Sequence, residues 1–473
     1  MDKLKTGKNF SKKPQGSVLA ATLIILAAML AIALSVSVVS IQERKASIGS
    51  TRSSLAYQEA ESGIENVMQK LKDNQLGNVS AIATASQTPC GVVIAENYKV
   101  ELKDSSGAVI SSCDVPIRSI VKIKSIGYSG QNSRAIEVAV NCRGWCLVTD
   151  DAPWYGTNHL ATAVFQGKIW VMGGPATSDI WSSADGVSWT QEITSSPIWG
   201  PRGDAIVLVH TDPADGVEKL WLMGGNSTTS TASYGDVWKS ANGKDWQLVT
   251  NKAWPKQIGD PSSITDANGR VRRQFSGFVF QGKMWIMGGW GGSGTSNYYN
   301  DVWSSSDGST WQKVSGGGNW QPYDGSRWAP RSNHETIVYD DGTGEKMWIM
   351  GGRSSVVANG SDLALKNDVW WSSDGSTWTK KNDVADWSVR RGITSVVLNN
   401  RIWVLGGEIN MTDHTTSKEV WTADALVNNW TEQLPVPPWS PQSFSESGAL
   451  IYDNKMWLIS GSDYTPVVWK YQP

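Results

Sequence analysis

KIWVMGG at residues 168–174 opens a series of six similar strings, each placing a tryptophan two residues after a lysine or arginine and ending in glycine. The other five are KLWLMGG at 219–225, KMWIMGG at 283–289 and at 346–352, RIWVLGG at 401–407 and KMWLISG at 455–461. Successive tryptophans of this series are 51 to 64 residues apart. A repeat of that length holds one four-stranded sheet, so the series predicts propeller blades rather than a solenoid of short repeats.

Two further tryptophan series follow in register with the first. An Asp-Val-Trp-like string gives Trp181, Trp238, Trp303, Trp370, Trp421 and Trp469, and turns such as SSDGSTW give Trp189, Trp246, Trp311, Trp378 and Trp430. The last series lacks a sixth member, but WCLVTDDAPW from Trp145 matches WQLVTNKAW from Trp246. We therefore predict that Trp145 brings in the outer strand of the last blade, which closes the ring and removes its free edges.

This pattern of an apolar strand, a strand ending in glycines and two tryptophan-bearing strands resembles the kelch repeat family. The resemblance covers residues 144–473 and implies a six-bladed kelch-like β-propeller. We expect the three tryptophan series to pack between neighbouring sheets, since a buried aromatic side chain removes about 150 to 250 Å² from water.

Variable connections on one face of such a propeller are the expected place for recognition, because loops on a rigid scaffold carry binding residues. One Gly/Ser-rich loop holds Trp290, Tyr298 and Tyr299, and Trp328 lies in the next connection. No core demand explains the three rings of this loop in the sequence, so we predict that they, together with Trp328, stack on a sugar or capture a peptide. A fourth tryptophan series is expected to be structural at the channel rim; its members are Trp154, Trp199, Trp254, Trp320, Trp387 and Trp439.

Arginines enter the innermost strands on the same face. Arg202, Arg273, Arg331 and Arg391 are predicted to form a cationic ring for a carboxylate or an acidic sugar, since the arginine fork matches a carboxylate; Arg272 and Arg390 accompany them. The alternative is structural, with these side chains stacked on loop tryptophans and bonded to backbone carbonyls.

The amino-terminal part has a different composition, with no tryptophan before Trp145 among the 27 in the chain. A basic leader at residues 1–16 precedes an uncharged run at 17–41, which is long enough to span a bilayer as a helix. The leader's lysines favour an amino terminus in the cytoplasm and a propeller outside it. Apolar positions at helical spacing extend the predicted helix over 17–72, and alternating segments at 73–143 predict a small antiparallel sheet of about four strands.

KKPQG followed by SVLAATLII resembles the leader of type IV prepilins, and LAYQEAESGIE at residues 55–65 resembles the conserved helix of PilX-like minor pilins and pseudopilins. The resemblance implies cleavage after Gly16, a mature protein beginning at Ser17, and other pilin subunits as partners. Ser17 replaces the usual Phe or Met, and Ala21 replaces the usual glutamate, which fits a minor subunit better than a major one. A one-pass anchor that is never processed is the alternative.

Cysteine and charge set further expectations. Cys90, Cys113, Cys142 and Cys146 can form two disulfides in an oxidising compartment, with three pairings open. The net charge of −2 gives no electrostatic footprint for nucleic acid. No spacing typical of a metal, cofactor or nucleophile site occurs, and the four histidines, His159, His210, His334 and His414, lie in different repeats.

Three functions remain open from the sequence. The chain is a minor pilin whose propeller binds a glycan or protein at a surface, or an assembly or secretion-tip component whose propeller binds sister subunits. The third is a glycan-processing enzyme displayed on a pilus. In each, the chain starts in the inner membrane and reaches the cell surface or a pilus, and we expect a binding protein rather than an enzyme.

Overall fold

The computed structural model describes residues 36–472 except for a set of short segments. The segments outside the described part are 1–35, 44–49, 74–78, 83–89, 105–106, 116–119, 121, 131, 143, 150–151, 155–159, 175–176, 193–198, 228–233, 252, 254–271, 292–297, 317–324, 355–363, 434–446, 461–465 and 473. The chain divides into two compact units, Met1–Cys146 with Pro473, and Leu147–Gln472.

The first unit is a helix packed on an antiparallel sheet. Its elements are β1 (Val36–Glu43), α1 (Ser50–Asp73), a 3-10 turn (Val79–Ala81), β2 (Val92–Ile94), β3 (Tyr98–Lys103), β4 (Lys122–Ser129) and β5 (Asn132–Cys142). The sheet order is β1-β5-β4-β3-β2. Ala60, Val67 and Leu71 of the predicted apolar stripe are buried at helical spacing, but Leu55, also predicted in that stripe, is 46% exposed and its neighbour Ala56 is buried instead.

Two glycines let α1 approach the sheet closely. A Cβ atom on Gly127 of β4 would meet the backbone of Ala56 and Ala60 in α1, and one on Gly63 of α1 would meet the side chains of Ser125 and Tyr98. Neither glycine has a positive φ, so they are needed for space rather than for conformation. Strands β3, β4 and β5 match three of the alternating segments behind the predicted sheet, whereas the fourth, GAVISS at residues 107–112, forms only an isolated bridge between Lys103 and Val109; β2 was not predicted.

The prediction of one continuous helix over residues 17–72 is wrong at Val36–Glu43, which is strand β1, antiparallel to β5. Four of these eight residues are β-branched valine or isoleucine, and β5 offers them an open edge, so pairing outweighs helical periodicity. The predicted membrane span lies mainly outside the described residues. Among the residues described, no helix is long and apolar enough to cross a bilayer.

The second unit consists mainly of propeller-like blades, each an antiparallel sheet of four strands. Blade 1 is β7 (Ala161–Phe165), β8 (Lys168–Met172), β9 (Ile180–Ser183) and β10 (Thr190–Gln191); blade 2 is β11 (Ile206–Thr211), β12 (Glu218–Met223), β13 (Val237–Ser240) and β14 (Gln247–Thr250); blade 3 is β15 (Ser276–Phe280), β16 (Lys283–Met287), β17 (Val302–Ser305) and β18 (Gln312–Ser315).

The remaining blades follow the same order. Blade 4 is β20 (Glu335–Asp340), β21 (Glu345–Met350), β24 (Val369–Ser372) and β25 (Thr379–Asn382), with a small side sheet of β19 (Arg331–Ser332), β22 (Arg353–Ser354) and β23 (Ala364–Leu365); blade 5 is β26 (Thr394–Leu398), β27 (Arg401–Leu405), β28 (Val420–Ala423) and β29 (Trp430–Glu432); blade 6 is β30 (Gly448–Tyr452), β31 (Lys455–Ser460), β32 (Val467–Gln472) and β6 (Gly144–Thr149). The outer strand of blade 6 is therefore the one that the sequence match around Trp145 predicts.

The tryptophans of the first series hold each blade to its own first strand and to a neighbouring blade. In every blade the indole nitrogen donates to a backbone carbonyl at the end of the first strand, as from Trp170 to Phe165 and from Trp457 to Tyr452, both at 3.0 Å. The rings of Trp170 and Trp221 cover Gly243 and Gly308 in turns of the following blades. All six side chains are buried, as expected for a core series.

Candidate functional site

An ion pair made by a buried arginine recurs at one end of blades 2 to 5. An arginine just before the first strand pairs with an acidic residue just before the third strand: Arg202 with Asp236, Arg272 with Asp301, Arg331 with Asp368 and Arg390 with Glu419. The nitrogen to oxygen distances run from 2.5 to 2.7 Å. Each acid also accepts a hydrogen bond from the indole of the second tryptophan series, and each arginine donates to the carbonyl of a glycine that follows the second strand.

Two residues of the predicted cationic ring belong to these pairs. The side chains of Arg202 and Arg331 are 1% and 0% exposed, and their guanidinium groups already face Asp236 and Asp368. A ligand carboxylate would have to displace an internal one, so this structure gives them a structural role close to the alternative that the sequence left open. The sequence contains a signal for this ion pair, because the blades that have the arginine also have Asp or Glu two residues before the tryptophan of the second series.

Three of the predicted ligand-stacking aromatics are buried. Tyr298, Tyr299 and Trp328 are 0%, 4% and 0% exposed, so the expectation that no core demand explains Tyr298 and Tyr299 is wrong. Tyr299 lies under the guanidinium of Arg272 at 4.1 Å, and Trp328 packs edge to face on Trp378 with 5.9 Å between ring centroids. The sequence did not predict these contacts, because the residues that cover the three rings come from other parts of the chain. Of the fourth tryptophan series, Trp154, Trp199 and Trp387 are buried, and the other three lie outside the described residues.

Arg273 is the residue after the buried Arg272, and it contacts Trp290 rather than an acidic side chain of the ion-pair series. Arg273 pairs its backbone with Trp290, with both N to O distances at 2.8 Å, and its guanidinium lies 4.2 Å from the indole. Ser332 pairs in the same way with Arg353, and Arg391 with Glu408. We call Arg273, Trp290, Ser332, Arg353, Arg391 and Glu408 the rim cluster; the four that are not buried are half-buried.

Backbone hydrogen bonds bring the rim cluster together. The amide of Asn333 donates to the carbonyl of Gln274 at 3.1 Å, and the amide of Gly392 donates to the carbonyl of Asn333 at 2.9 Å. These residues have φ values of 49° to 61°, a left-handed conformation that turns the chain into each first strand. Because each link joins two consecutive blades, the three rim pairs of blades 3 to 5 lie side by side.

Positive charge dominates the rim cluster. Arg353 Nε donates to the hydroxyl of Tyr298 at 2.6 Å, and Arg391 pairs with Glu408 at 2.7 Å. Burial raises the pKa of Tyr298, and the guanidinium groups of Arg353 and Arg391 oppose that rise, which places both charges near one phenol. Glu408 is the one acidic member of the rim cluster, which has three arginines; Arg391 pairs with it, and the exposed His414 contacts the same carboxylate at 3.3 Å.

Two titratable residues lie at the start of blade 4. His334 is buried against Trp328, and burial with the nearby Arg331 charge lowers its pKa to about 3, so the imidazole is neutral. Glu335 accepts a hydrogen bond from Ser395 at 3.3 Å, and burial raises its pKa to about 8. Neither ring nitrogen of His334 has a hydrogen-bond partner among the described residues, and the two side chains are not paired with each other.

The remaining predicted site residues are the four cysteines, the two residues at the cleavage site and the histidines. Cys90 and Cys113 form a disulfide, and Cys146 is also disulfide-bonded. Gly16, Ser17, His159 and the side chain of Cys142 lie outside the described part. Within the described residues, no group of three His, Cys, Asp or Glu side chains is placed to hold a metal ion.

No protein-family model matches the chain. A stretch of 248 residues is 26% identical to the dynein alpha chain of the flagellar outer arm from Chlamydomonas reinhardtii. The similarity covers 50% of this chain but only 5% of the dynein, so this chain spans a small fraction of that protein's length.

Proposed function

We propose that this chain is a pilin-like minor subunit that carries a six-bladed kelch-like propeller to a surface, where the rim cluster face binds a glycan or protein ligand. The observation that carries the binding function is the excess of positive charge in the rim cluster, three arginines against one glutamate, beside the half-buried indole of Trp290. Charged and aromatic side chains gathered on a rigid scaffold are typical of recognition sites.

Contacts between blade 6 and blade 1 support a closed ring. The hydroxyl of Tyr452 donates to the carbonyls of Gly167 at 2.8 Å and Ala184 at 2.7 Å, and Trp457 covers Gly186. The ring of Trp170 covers Gly243 in the same way between blades 1 and 2. The glycine-covering contact found between blades 1 and 2 is thus also found between blades 6 and 1, and this likeness supports the proposed closure.

The pilin-like part of the proposal is supported by residues 55–65, which carry the string LAYQEAESGIE. They lie inside α1, whose buried stripe packs on the small antiparallel sheet. The prepilin-like leader, the cleavage after Gly16 and the membrane anchor come from the sequence resemblance and remain part of the proposal.

Adhesion of cells that produce the full chain tests this function. Replacing both Arg273 with Gln and Trp290 with Ala is expected to abolish adhesion to the natural surface without changing the amount of chain displayed. Arg401→Gln is the matched control, since Arg401 is the exposed first residue of β27, at the end of that strand away from Glu408. Full adhesion of the displayed double variant would overturn the proposed binding face, and loss of co-purifying pilins instead of adhesion would indicate an assembly component.

A further inference from the structure

We propose that the rim cluster recognises the carboxylate of an acidic sugar, so that the ligand is a glycan containing uronic acid. This inference rests on the proposed binding function and names its ligand class. The carboxylate would lie between the guanidinium groups of Arg353 and Arg391, with the sugar ring next to Trp290.

The charge around Arg353 is the first reason. Its Nε atom donates to the neutral hydroxyl of Tyr298, and among the described residues it forms no ion pair with an acidic side chain. Arg391 shares Glu408 with His414. A half-buried guanidinium without a counter-charge is partly desolvated without compensation, and a bound carboxylate would supply two charge-assisted hydrogen bonds there.

The second reason is the contrast with the buried arginines of the same blades. Arg331 and Arg390 have internal carboxylates, Asp368 and Glu419, at 2.7 and 2.5 Å. Arg353 is paired across the side sheet with Ser332, the residue after the buried Arg331. Within the described part of the chain, Arg331 and Arg390 therefore each have an acidic partner, whereas the side-chain partner of Arg353 is the phenol of Tyr298.

The neutral groups around the cluster favour a sugar over an acidic peptide. The half-buried Gln274 follows Arg273 directly, and its amide oxygen lies 3.5 Å from the buried hydroxyl of Ser332, so an amide group stands beside the rim cluster. Such groups pair with sugar hydroxyls, and the large aliphatic side chains that a peptide would need as anchors are absent from the rim cluster. Arg391 is only 15% exposed, so the recognised carboxylate must project from the ligand; uronic acids and glutamate side chains both meet this requirement, and a glutamate-rich peptide is therefore one of the ligands in the test.

Calorimetric titration of the detergent-solubilised full chain with an oligogalacturonate tests the inference, with a neutral galactose oligomer of equal length as the reference ligand. We expect the acidic oligomer to bind, the neutral one to bind at least tenfold more weakly, and added salt to weaken binding. Arg353→Gln and Arg391→Gln should each weaken binding about tenfold or more, while Arg401→Gln should leave it unchanged. Circular dichroism and the melting temperature of each variant establish that it is folded.

The outcomes separate this inference from the proposed function. Equal affinity for acidic and neutral oligomers, or unchanged affinity in both folded arginine variants, would overturn the acidic-sugar site even if cells adhere through the propeller. Tight binding of a glutamate-rich peptide with no binding of the oligogalacturonate would also overturn it. Binding of the oligogalacturonate that depends on Arg353, in a chain whose loss leaves cell adhesion intact, would support the site and refute the adhesive function.

Discussion

Arg272 and Asp301 face each other in a fully buried pair, with Nη1 to Oδ1 at 2.6 Å and Nη2 to Oδ2 at 2.8 Å. The same carboxylate accepts the indole hydrogen of Trp303 at 2.7 Å. One acidic residue therefore ties the start of the first strand of blade 3 to its third strand. The equivalent pairs in blades 2, 4 and 5 make this a repeated feature of the blades rather than a ligand site.

Removing the acidic residue of this pair should destabilise the second unit. Asp301→Ala leaves the guanidinium of Arg272 buried without its counter-charge, which typically lowers the free energy of unfolding by about 3 to 5 kcal/mol. Replacing both residues together, Arg272→Met with Asp301→Leu, should recover much of that loss. Urea unfolding followed by tryptophan fluorescence reports the second unit, because only Trp145 precedes residue 147. Asp383→Ala, with a 79% exposed side chain, is the control and should change little.

Contact between the last and first blades is tested by a pair of glycine variants. Gly186 and Gly167 both have positive φ, at 71° and 69°, but a Cβ on Gly186 would meet the ring of Trp457 whereas one on Gly167 has no atom within 4 Å. Both alanine variants incur backbone strain, and only Gly186→Ala adds overpacking of about 1 to 3 kcal/mol. Equal unfolding free energies for the two variants would argue against the packing of blade 6 on blade 1.

Helix packing in the first unit depends on Gly127. Gly127→Ala should push α1 away from β4, at a cost of about 1 to 3 kcal/mol, because the atoms it meets are backbone and cannot rotate aside. Hydrogen exchange in peptides from α1 and β4 should accelerate about tenfold or more. Gly107→Ala, with no atom within 4 Å, adds only backbone strain and should have a smaller effect. Unchanged exchange in α1 for Gly127→Ala would contradict this packing.

Acid should destabilise the second unit through His334. Its pKa falls from 6.5 to about 3 on folding, because burial and Arg331 disfavour the imidazolium. A depressed folded pKa gives stability that is complete above pH 6.5 and is lost as pH falls toward 3, by at most about 1.4 kcal/mol per pH unit. His334→Phe should remove this loss, so that its unfolding free energy falls less with acid than that of the unchanged chain; Glu335, whose pKa is raised to about 8 by burial, contributes a slope of opposite sign in both proteins. An unchanged slope in the variant would mean that other groups carry it.

Tryptophan spacing predicts the blades well, because each indole of the first series donates the same kind of hydrogen bond, to a carbonyl of the first strand of its own blade. Trp170 and Trp457 each bond their own first strand and cover a glycine in another blade, so one physical requirement repeats along the chain. The match of Trp145 with Trp246 likewise predicts β6, since the last repeat supplies only three strands and leaves the edge at β32 free for a fourth.

The binding face was harder to predict from sequence. Tyr298 and Trp328 lie in connecting segments, yet their rings are fully buried against Arg353 and Trp378. Burial of a loop residue depends on side chains from other strands, which local spacing does not report. Arg273 and Arg391 differ from their neighbours Arg272 and Arg390 by one residue, and in extended chain that reverses the side of the backbone on which a side chain projects. Strand Val36–Glu43 shows the same limit, since its pairing with β5 is a long-range contact.

Whether a processed pilin-like subunit carries the propeller is measured most directly by mass spectrometry of material sheared from the surface of producing cells. The proposal predicts chains that contain the propeller, begin at Ser17 and co-fractionate with filaments of other pilins. A Gly16→Leu variant should retain the leader and disappear from the sheared fraction. Chains with an intact Met1 terminus in assembled surface material would contradict the pilin-like role and leave a membrane-anchored propeller.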